Sequence, residues 1–329
     1  MDDLKQPKRY PDLADPQARP RYAGISTFFR TPYTQDLSDT DIGVVGVPFD
    51  GGVTNRTGAR HGPRAVRDQS SLLRRINGVT GIAPFAATRV RDLGDAWIEQ
   101  PYELEGALRE IAEFFHPIVA AGVTPLSVGG DHSISLPILR AVAASRPVGM
   151  IHIDAHCDTG DDYLGSRFHH GAPFRRAVEE GLLDPKRVIQ IGIRGTVNQD
   201  DMWDFSQNSG MRVLGMDEFQ DKGWQYVVSE ARRVVGDGPT YLTYDIDSLD
   251  PVHAPGTGTP EAGGITPIEA LRLLRGLRGI DFVGGDLVEV APSFDPGTIT
   301  AFNGASLLFD ILCLLSEART LRKTYTKRP

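Results

Sequence analysis

The sequence predicts an α/β protein, a single three-layer α/β/α domain on a mostly parallel sheet. Two observations carry that expectation. Beyond residue 40, apolar runs of strand length alternate with longer helical patterns without a break. Several of those runs are also apolar throughout, as strands are when helices cover both faces of a sheet.

The strand candidates are Ile42–Val47, Thr124–Val128, Gly149–Ile153, Arg187–Ile193, Arg212–Gly215, Thr240–Tyr244 and Phe282–Val288. Helical patterns lie between them at Leu104–Ala120, Ser135–Ala144, Phe174–Glu180, Trp224–Val235 and Pro267–Leu277. Residues 1–40, rich in Pro, Arg and Tyr, are expected to form an irregular N-terminal arm, and residues 41–329 a single domain. There is no internal repeat and no low-complexity linker.

Composition narrows the function classes. The chain has 329 residues, 40% of them hydrophobic and 24% charged, which is ordinary for a globular protein. A chain of this length buries a core without staples. The formal net charge of −8 argues against a nucleic-acid partner and suits a cationic substrate. The two cysteines, Cys157 and Cys313, suggest no disulfide scaffold. The first 21 residues have no apolar core of the kind a signal peptide needs, and no run approaches the roughly 20 apolar residues of a membrane span. A cytoplasmic protein without a membrane partner is expected.

In open parallel sheets, ligands bind beyond the carboxyl ends of the strands. Three sequence elements fall there. Asp154-Ala155-His156-Cys157-Asp158 follows the strand ending at Ile153. In extended chain, side chains alternate, so Asp154, His156 and Asp158 should share one face while Ala155 and Cys157 turn away. Asp245-Ile246-Asp247 follows the strand ending at Tyr244 with the same spacing, and Gly129-Gly130-Asp131-His132 follows the strand ending at Val128. Together they offer four carboxylates and two imidazoles. Converging carboxylates without compensation would force some to stay protonated. Two divalent cations neutralise four of them, and a metal pair lowers the pKa of a shared water. Mixed O/N donors suit manganese, and also nickel, cobalt or zinc. The plainer reading of one such Asp pair is a helix cap. Three elements at three strand ends favour a metal centre, with Asp131 supporting the turn.

With these residues in view, the sequence resembles the ureohydrolase family, which includes arginase, agmatinase and the guanidino-acid hydrolases. The motifs are Gly129–Ser133, Asp154–Thr159, Asp245–Pro251 and Ala254–Pro260. The likeness runs from about Arg21 to Leu315. Asn55–Pro63 and His170–Arg176 look most like guanidinopropionase and guanidinobutyrase, within the agmatinase-like branch. The resemblance implies an arginase-like fold and one ion held by His132, Asp154, Asp158 and Asp245. It implies a second ion held by His156, Asp154, Asp245 and Asp247. It also implies manganese, with nickel as the alternative, and a homotrimer or hexamer, possibly with a related subunit.

The chemistry implied is hydrolysis of a guanidino group to urea and an amine. Asp158 is expected to pass on a proton, and His170 to act as the shuttle histidine, with His169 as its competitor or both as loop histidines. Glu289, at a strand end, can accept two parallel N–H bonds from a guanidinium fork. It is expected to orient the substrate, where a surface ion pair is the plainer alternative. His61 and His253 receive no role, and Cys157 reads as core.

The segment 160–168 should line the entrance. Guanidino-acid enzymes commonly carry a polar residue where this chain has Gly160. The tail contact would then fall to Arg167 for a carboxylate, or to Asp161 and Asp162 for the ammonium of agmatine. A compact guanidine or a biguanide such as metformin would use the space left by Gly160. A non-catalytic partner subunit would have no need of six ligands.

Overall fold

The computed structural model describes residues 20–197 and 203–325. Eight strands form one sheet in the order β2-β1-β3-β8-β7-β4-β5-β6, and every pairing is parallel. The strands are β1 (Ile42–Val47), β2 (Val90–Asp95), β3 (Thr124–Gly129), β4 (Val148–Ile153), β5 (Leu183–Ile193), β6 (Arg212–Gly215), β7 (Thr240–Asp245) and β8 (Phe282–Val288). β1, β3, β4 and β7 are buried along their whole length, which is why they read as largely apolar runs.

Among the described residues, nine α-helices cover the sheet: α1 (Gly62–Ser70), α2 (Pro84–Ala87), α3 (Leu104–Ala120), α4 (Ser135–Val142), α5 (Pro173–Glu179), α6 (Asp204–Ser209), α7 (Met216–Val235), α8 (Pro267–Gly276) and α9 (Ile299–Tyr325). One face carries α1, α7, α8 and α9, the other α3, α4 and α5. Two apolar cores result, one on each side of the sheet. This is the three-layer arrangement expected from the alternation of elements. α8 starts in a capping box, with Thr266 and Glu269 each bonded to the other's backbone N–H, which fixes its first turn directly after Pro267 is placed.

Several elements differ from the sequence reading. β2 was not among the expected strands. Its sequence, Val-Arg-Asp-Leu-Gly-Asp, carries three charges, and it survives as an edge strand because Asp92 is neutralised by Arg67 and accepts from Phe28 N. α7 begins eight residues before the expected Trp224, with Gly223 in a left-handed turn at φ 78° marking the break. The stretch Pro296–Thr324, which contains α9, is long and apolar enough to cross a membrane by composition. However, 72% of its most apolar window is buried against the sheet and α8, as for a core helix. Residues 20–40 do not stand apart either, because Phe28 and Phe29 are core residues. The rest of the expected arm lies outside the described residues.

Between β3 and β4 the chain steps over two positions in the sheet, and after β6 it turns back to fill them with β7 and β8. The carboxyl ends of these four central strands therefore open into one crevice.

Candidate metal centre

Each of the four central strands delivers one part of the site. His132 follows β3, Glu289 follows β8, Asp245 ends β7 with Asp247 in the turn beyond it, and Asp154, His156 and Asp158 follow β4. The six expected ligands converge on two adjoining positions. His132 Nδ1 stands 3.1 Å from Asp154 Oδ2, 2.9 Å from Asp158 Oδ2 and 3.1 Å from Asp245 Oδ2. His156 Nδ1 stands 3.4 Å from Asp154 Oδ1 and 3.2 Å from Asp247 Oδ2. Asp154 thus faces both positions, one oxygen to each.

The convergence does not come from an extended strand, as the alternation argument assumed. β4 ends at Ile153, and Asp158 reaches the cluster through a left-handed backbone at φ 51°. Asp245 and Asp247 are brought together by a 3-10 turn, in which Asp245 Oδ1 accepts from Asp247 N at 2.8 Å. Glu289 is likewise left-handed, at φ 64°. Non-glycine residues held in that region are uncommon and concentrate at functional sites. Among turn residues, Gly130 is required because a Cβ there would lie 2.3 Å from Phe49 O.

The donor set fits divalent cations. His132 Nδ1 is fully buried and has no hydrogen-bond partner, although three carboxylates surround it. Its Nε2 is bonded to Thr243 Oγ1 at 2.8 Å, so the lone pair of Nδ1 can face the carboxylates. Without cations the charges are in conflict. Burial and then the neighbouring charges of Asp247 and Asp154 push Asp245 well above the carboxylate range. Burial pulls His132 down, but the carboxylates of Asp154, Asp158 and Asp245 beside it carry it well above its ordinary value. A site that must protonate its imidazoles to tolerate its carboxylates is one that cations relieve.

Beneath the cluster runs a buried polar row that the sequence reading did not pick out. Ser127, Asp286, Thr243, His152 and Gln190 are register neighbours across β3, β8, β7, β4 and β5, and all are buried. Thr243 holds His132. His152 Nε2 lies 2.6 Å from Asp154 Oδ2, and its Nδ1 meets Gln190 Nε2 at 3.1 Å. Since Gln190 Nε2 can only donate, His152 is protonated at Nε2 and donates to Asp154. His152 belongs to the same cluster geometrically, but with both nitrogens committed it is a support for Asp154. Its signal in the sequence was a histidine two residues before Asp154 inside an apolar strand.

Glu289 is buried. Its Oε1 accepts from His132 N and meets His170 Nδ1, both at 2.9 Å, while Oε2 has no partner. It is not in a surface ion pair. Both candidate histidines line the cavity, and of the two it is His170 that meets Glu289. His169 instead bonds the carbonyl of Asp161 at 3.1 Å. His170 Nε2 lies 2.8 Å from Thr54 Oγ1 and 3.2 Å from Thr54 N. Asp131 accepts from Gly52 N at 2.7 Å and from Ser133 N at 2.9 Å, the turn-supporting role expected of it. Thr259, in the segment Ala254–Pro260, donates to Asp247 Oδ2 at 3.3 Å. Cys157 is buried, and its thiol is pushed up to about 12 by burial, as for a core residue.

A cavity of about 1110 Å³ opens over the cluster, with Asp158, His170, Asp245 and Glu289 in its wall. The entrance differs from expectation. Arg167 is exposed, pairs with Glu179 at 2.7 Å and is not part of the cavity wall. Asp161 lines the cavity, but Arg175 and Arg176 already hold it, at 2.9 and 2.8 Å. Asp162 lines it too, and accepts from Gly165 N at 2.9 Å. Gly160 lines the cavity, and a Cβ there would lie 2.9 Å from the carbonyl of Gly171. His61 and His253 are not in the wall.

Comparison with known proteins agrees with this geometry. The model of the Arginase family matches residues 40–314. The chain is 54% identical to the guanidinopropionase of Pseudomonas aeruginosa, over 94% of this chain and 97% of that protein. It is 47% identical to a mitochondrial agmatinase of Gallus gallus, over 94% and 91%. Among solved structures, the proclavaminate amidinohydrolase of Streptomyces clavuligerus superposes with a TM-score of 0.88 at 38% identity, covering 91% of this chain and all of that one.

Proposed function

The chain belongs to the arginase family, and from that premise we propose that it hydrolyses a linear guanidino acid, such as guanidinopropionate or guanidinobutyrate, to urea and an amine. It is a hydrolase of carbon–nitrogen bonds in linear amidines. The observation that carries the reading is the double cradle. One buried imidazole faces three carboxylates, a second faces two, and Asp154 is shared between them. His132, Asp154, Asp158 and Asp245 would hold one ion, and His156, Asp154, Asp245 and Asp247 the other. The oxygen-rich donor set supports manganese, with nickel as the alternative. Two such ions supply Lewis acidity and an ionised water at neutral pH.

The protein's own groups do the rest. Glu289 Oε2, buried and unpartnered, is placed to accept N–H bonds from the guanidinium and fix its plane. Asp158, at the rim of the cluster, is placed to carry a proton toward the leaving amine. His170, in the cavity wall, exchanges protons with the entrance through Thr54. We further propose a homotrimer or hexamer, on the family resemblance.

The test is urea release by manganese-loaded protein from guanidinopropionate, guanidinobutyrate, agmatine, guanidine and metformin, with metal content measured in parallel. The expected result is about two ions per chain and the highest kcat/KM on a guanidino acid. Fully loaded protein that releases urea from none of them overturns the reading. A second reading, agmatine as substrate, is favoured by one feature. Asp162 lines the entrance with no cation paired to it among the described residues. Agmatine as the preferred substrate in the same assay would establish it.

A further inference from the structure

Two of the described residues in the cavity wall carry a guanidinium, Arg175 and Arg194, and no lysine lines it. Arg194 is spent. Its Nη1 donates to the carbonyls of Gly192 and Ser248, its Nη2 to those of Asp247, Leu249 and Glu261, and its Nε to those of Glu261 and Ala262. It ties the Asp247 turn to the strand-end loop and has nothing left for a ligand.

Arg175 is differently placed. Its Nε donates to Glu179 Oε1 at 3.2 Å, its Nη2 meets Asp161 Oδ2 at 2.9 Å, and its plane lies over the ring of Phe205, 4.6 Å from the centroid. These contacts hold the guanidinium in one orientation, and Nη1 has no partner among the described residues. Arg167, Arg175 and Arg176 share the two carboxylates of Asp161 and Glu179, in a cavity that Asp162 and Asp204 also line.

We propose that Arg175 is the specificity-determining residue of this site: its free Nη1 takes the carboxylate of the guanidino acid at the cavity mouth, while Glu289 holds the guanidinium at the floor. The inference rests on the guanidino-acid reading. It explains how a chain with Gly160 at the usual polar position, and with Arg167 turned outward, can still receive a negative tail. Phe205 and Asp161 pre-set the guanidinium, so little freedom is lost when the carboxylate docks.

The test compares Arg175→Gln and Arg175→Lys with the parent chain, each loaded with manganese. The substrates are guanidinopropionate and propylguanidine, which share the chain length and differ in the carboxylate. A charge-assisted hydrogen bond predicts a KM for guanidinopropionate raised about ten- to a hundredfold in Arg175→Gln. Arg175→Lys keeps the charge and a donor to Asp161, so it should fall between the two. The ratio of kcat/KM between the two substrates should collapse in Arg175→Gln and fall part of the way in Arg175→Lys. Metal content and melting temperature report whether each variant is folded. Equal losses on both substrates, or an unchanged KM for the acid in folded Arg175→Lys, overturn the assignment. If the parent chain itself prefers propylguanidine or agmatine, the guanidino-acid reading fails and the role of Arg175 fails with it.

Discussion

The imidazole of His170 and the carboxylate of Glu289 meet at 2.9 Å, Nδ1 to Oε1, across 119 residues of sequence. The same oxygen accepts from the backbone N–H of His132 at 2.9 Å. One carboxylate oxygen therefore ties His170 to the turn that carries His132, and the other oxygen has no partner. Because Thr54 N donates to Nε2, the neutral ring carries its proton on Nδ1 and gives it to Glu289.

Replacing Glu289 by Gln keeps size and removes charge. The expected outcome is a fall in kcat/KM of about a hundredfold or more with both ions retained, because a charged acceptor of the guanidinium is lost. Kinetics with metal analysis on the same sample check it. Loss of metal would make Glu289 a ligand.

The same pair gives a pH dependence. Burial lowers the His170 pKa, but the charge and hydrogen bond of Glu289, together with the charges of Asp158 and Asp131, outweigh it and bring the group up to about 9 from 6.5 in the metal-free chain. A pKa raised on folding adds stability that is complete below the unfolded value and is lost as pH rises through the folded one. The melting-temperature gap between the metal-free parent and metal-free Glu289→Gln should therefore be widest below pH 6.5 and shrink up to about 9. A constant gap across that window would show that the pair does not titrate as described.

Asp245→Ala removes a carboxylate placed 3.1 Å from His132 Nδ1 and the acceptor for Asp247 N. Ion content should drop from two per chain to one or fewer, and nearly all turnover should go with it. Full occupancy with undiminished turnover would end the two-ion reading.

His152→Phe tests the buried row. The ring sits edge-on to His132 and 4.5 Å from the Phe174 centroid, so an aromatic replacement fills the space while losing the donor to Asp154. Supports of this kind are worth roughly ten- to a hundredfold in metal affinity. Titration of the metal-free variant with manganese should show a loss of that order, and parental affinity would leave His152 with a packing role alone.

The sequence by itself determined the layers, seven of the eight strands and all six candidate ligands. Each depends on something local: an apolar run buried on both faces, or a polar residue where such a run stops. Glu289 was legible in the same way, at a strand end, while His170 was singled out by the family resemblance, with His169 as its competitor. β2 was not, because its two carboxylates pair with Arg67, a residue on α1 that sequence order does not place beside it. Only the tertiary structure decided that turns, with Asp158 and Glu289 in left-handed backbone, bring the carboxylates together. It also decided that Thr243, His152 and Gln190 form one supporting row, since register between strands distant in sequence is set by packing of the whole sheet. The entrance depends on the same kind of information. Arg167 and Arg175 are equally charged and eight residues apart, and the fold alone turns one outward onto Glu179 and sets the other in the cavity wall over Phe205.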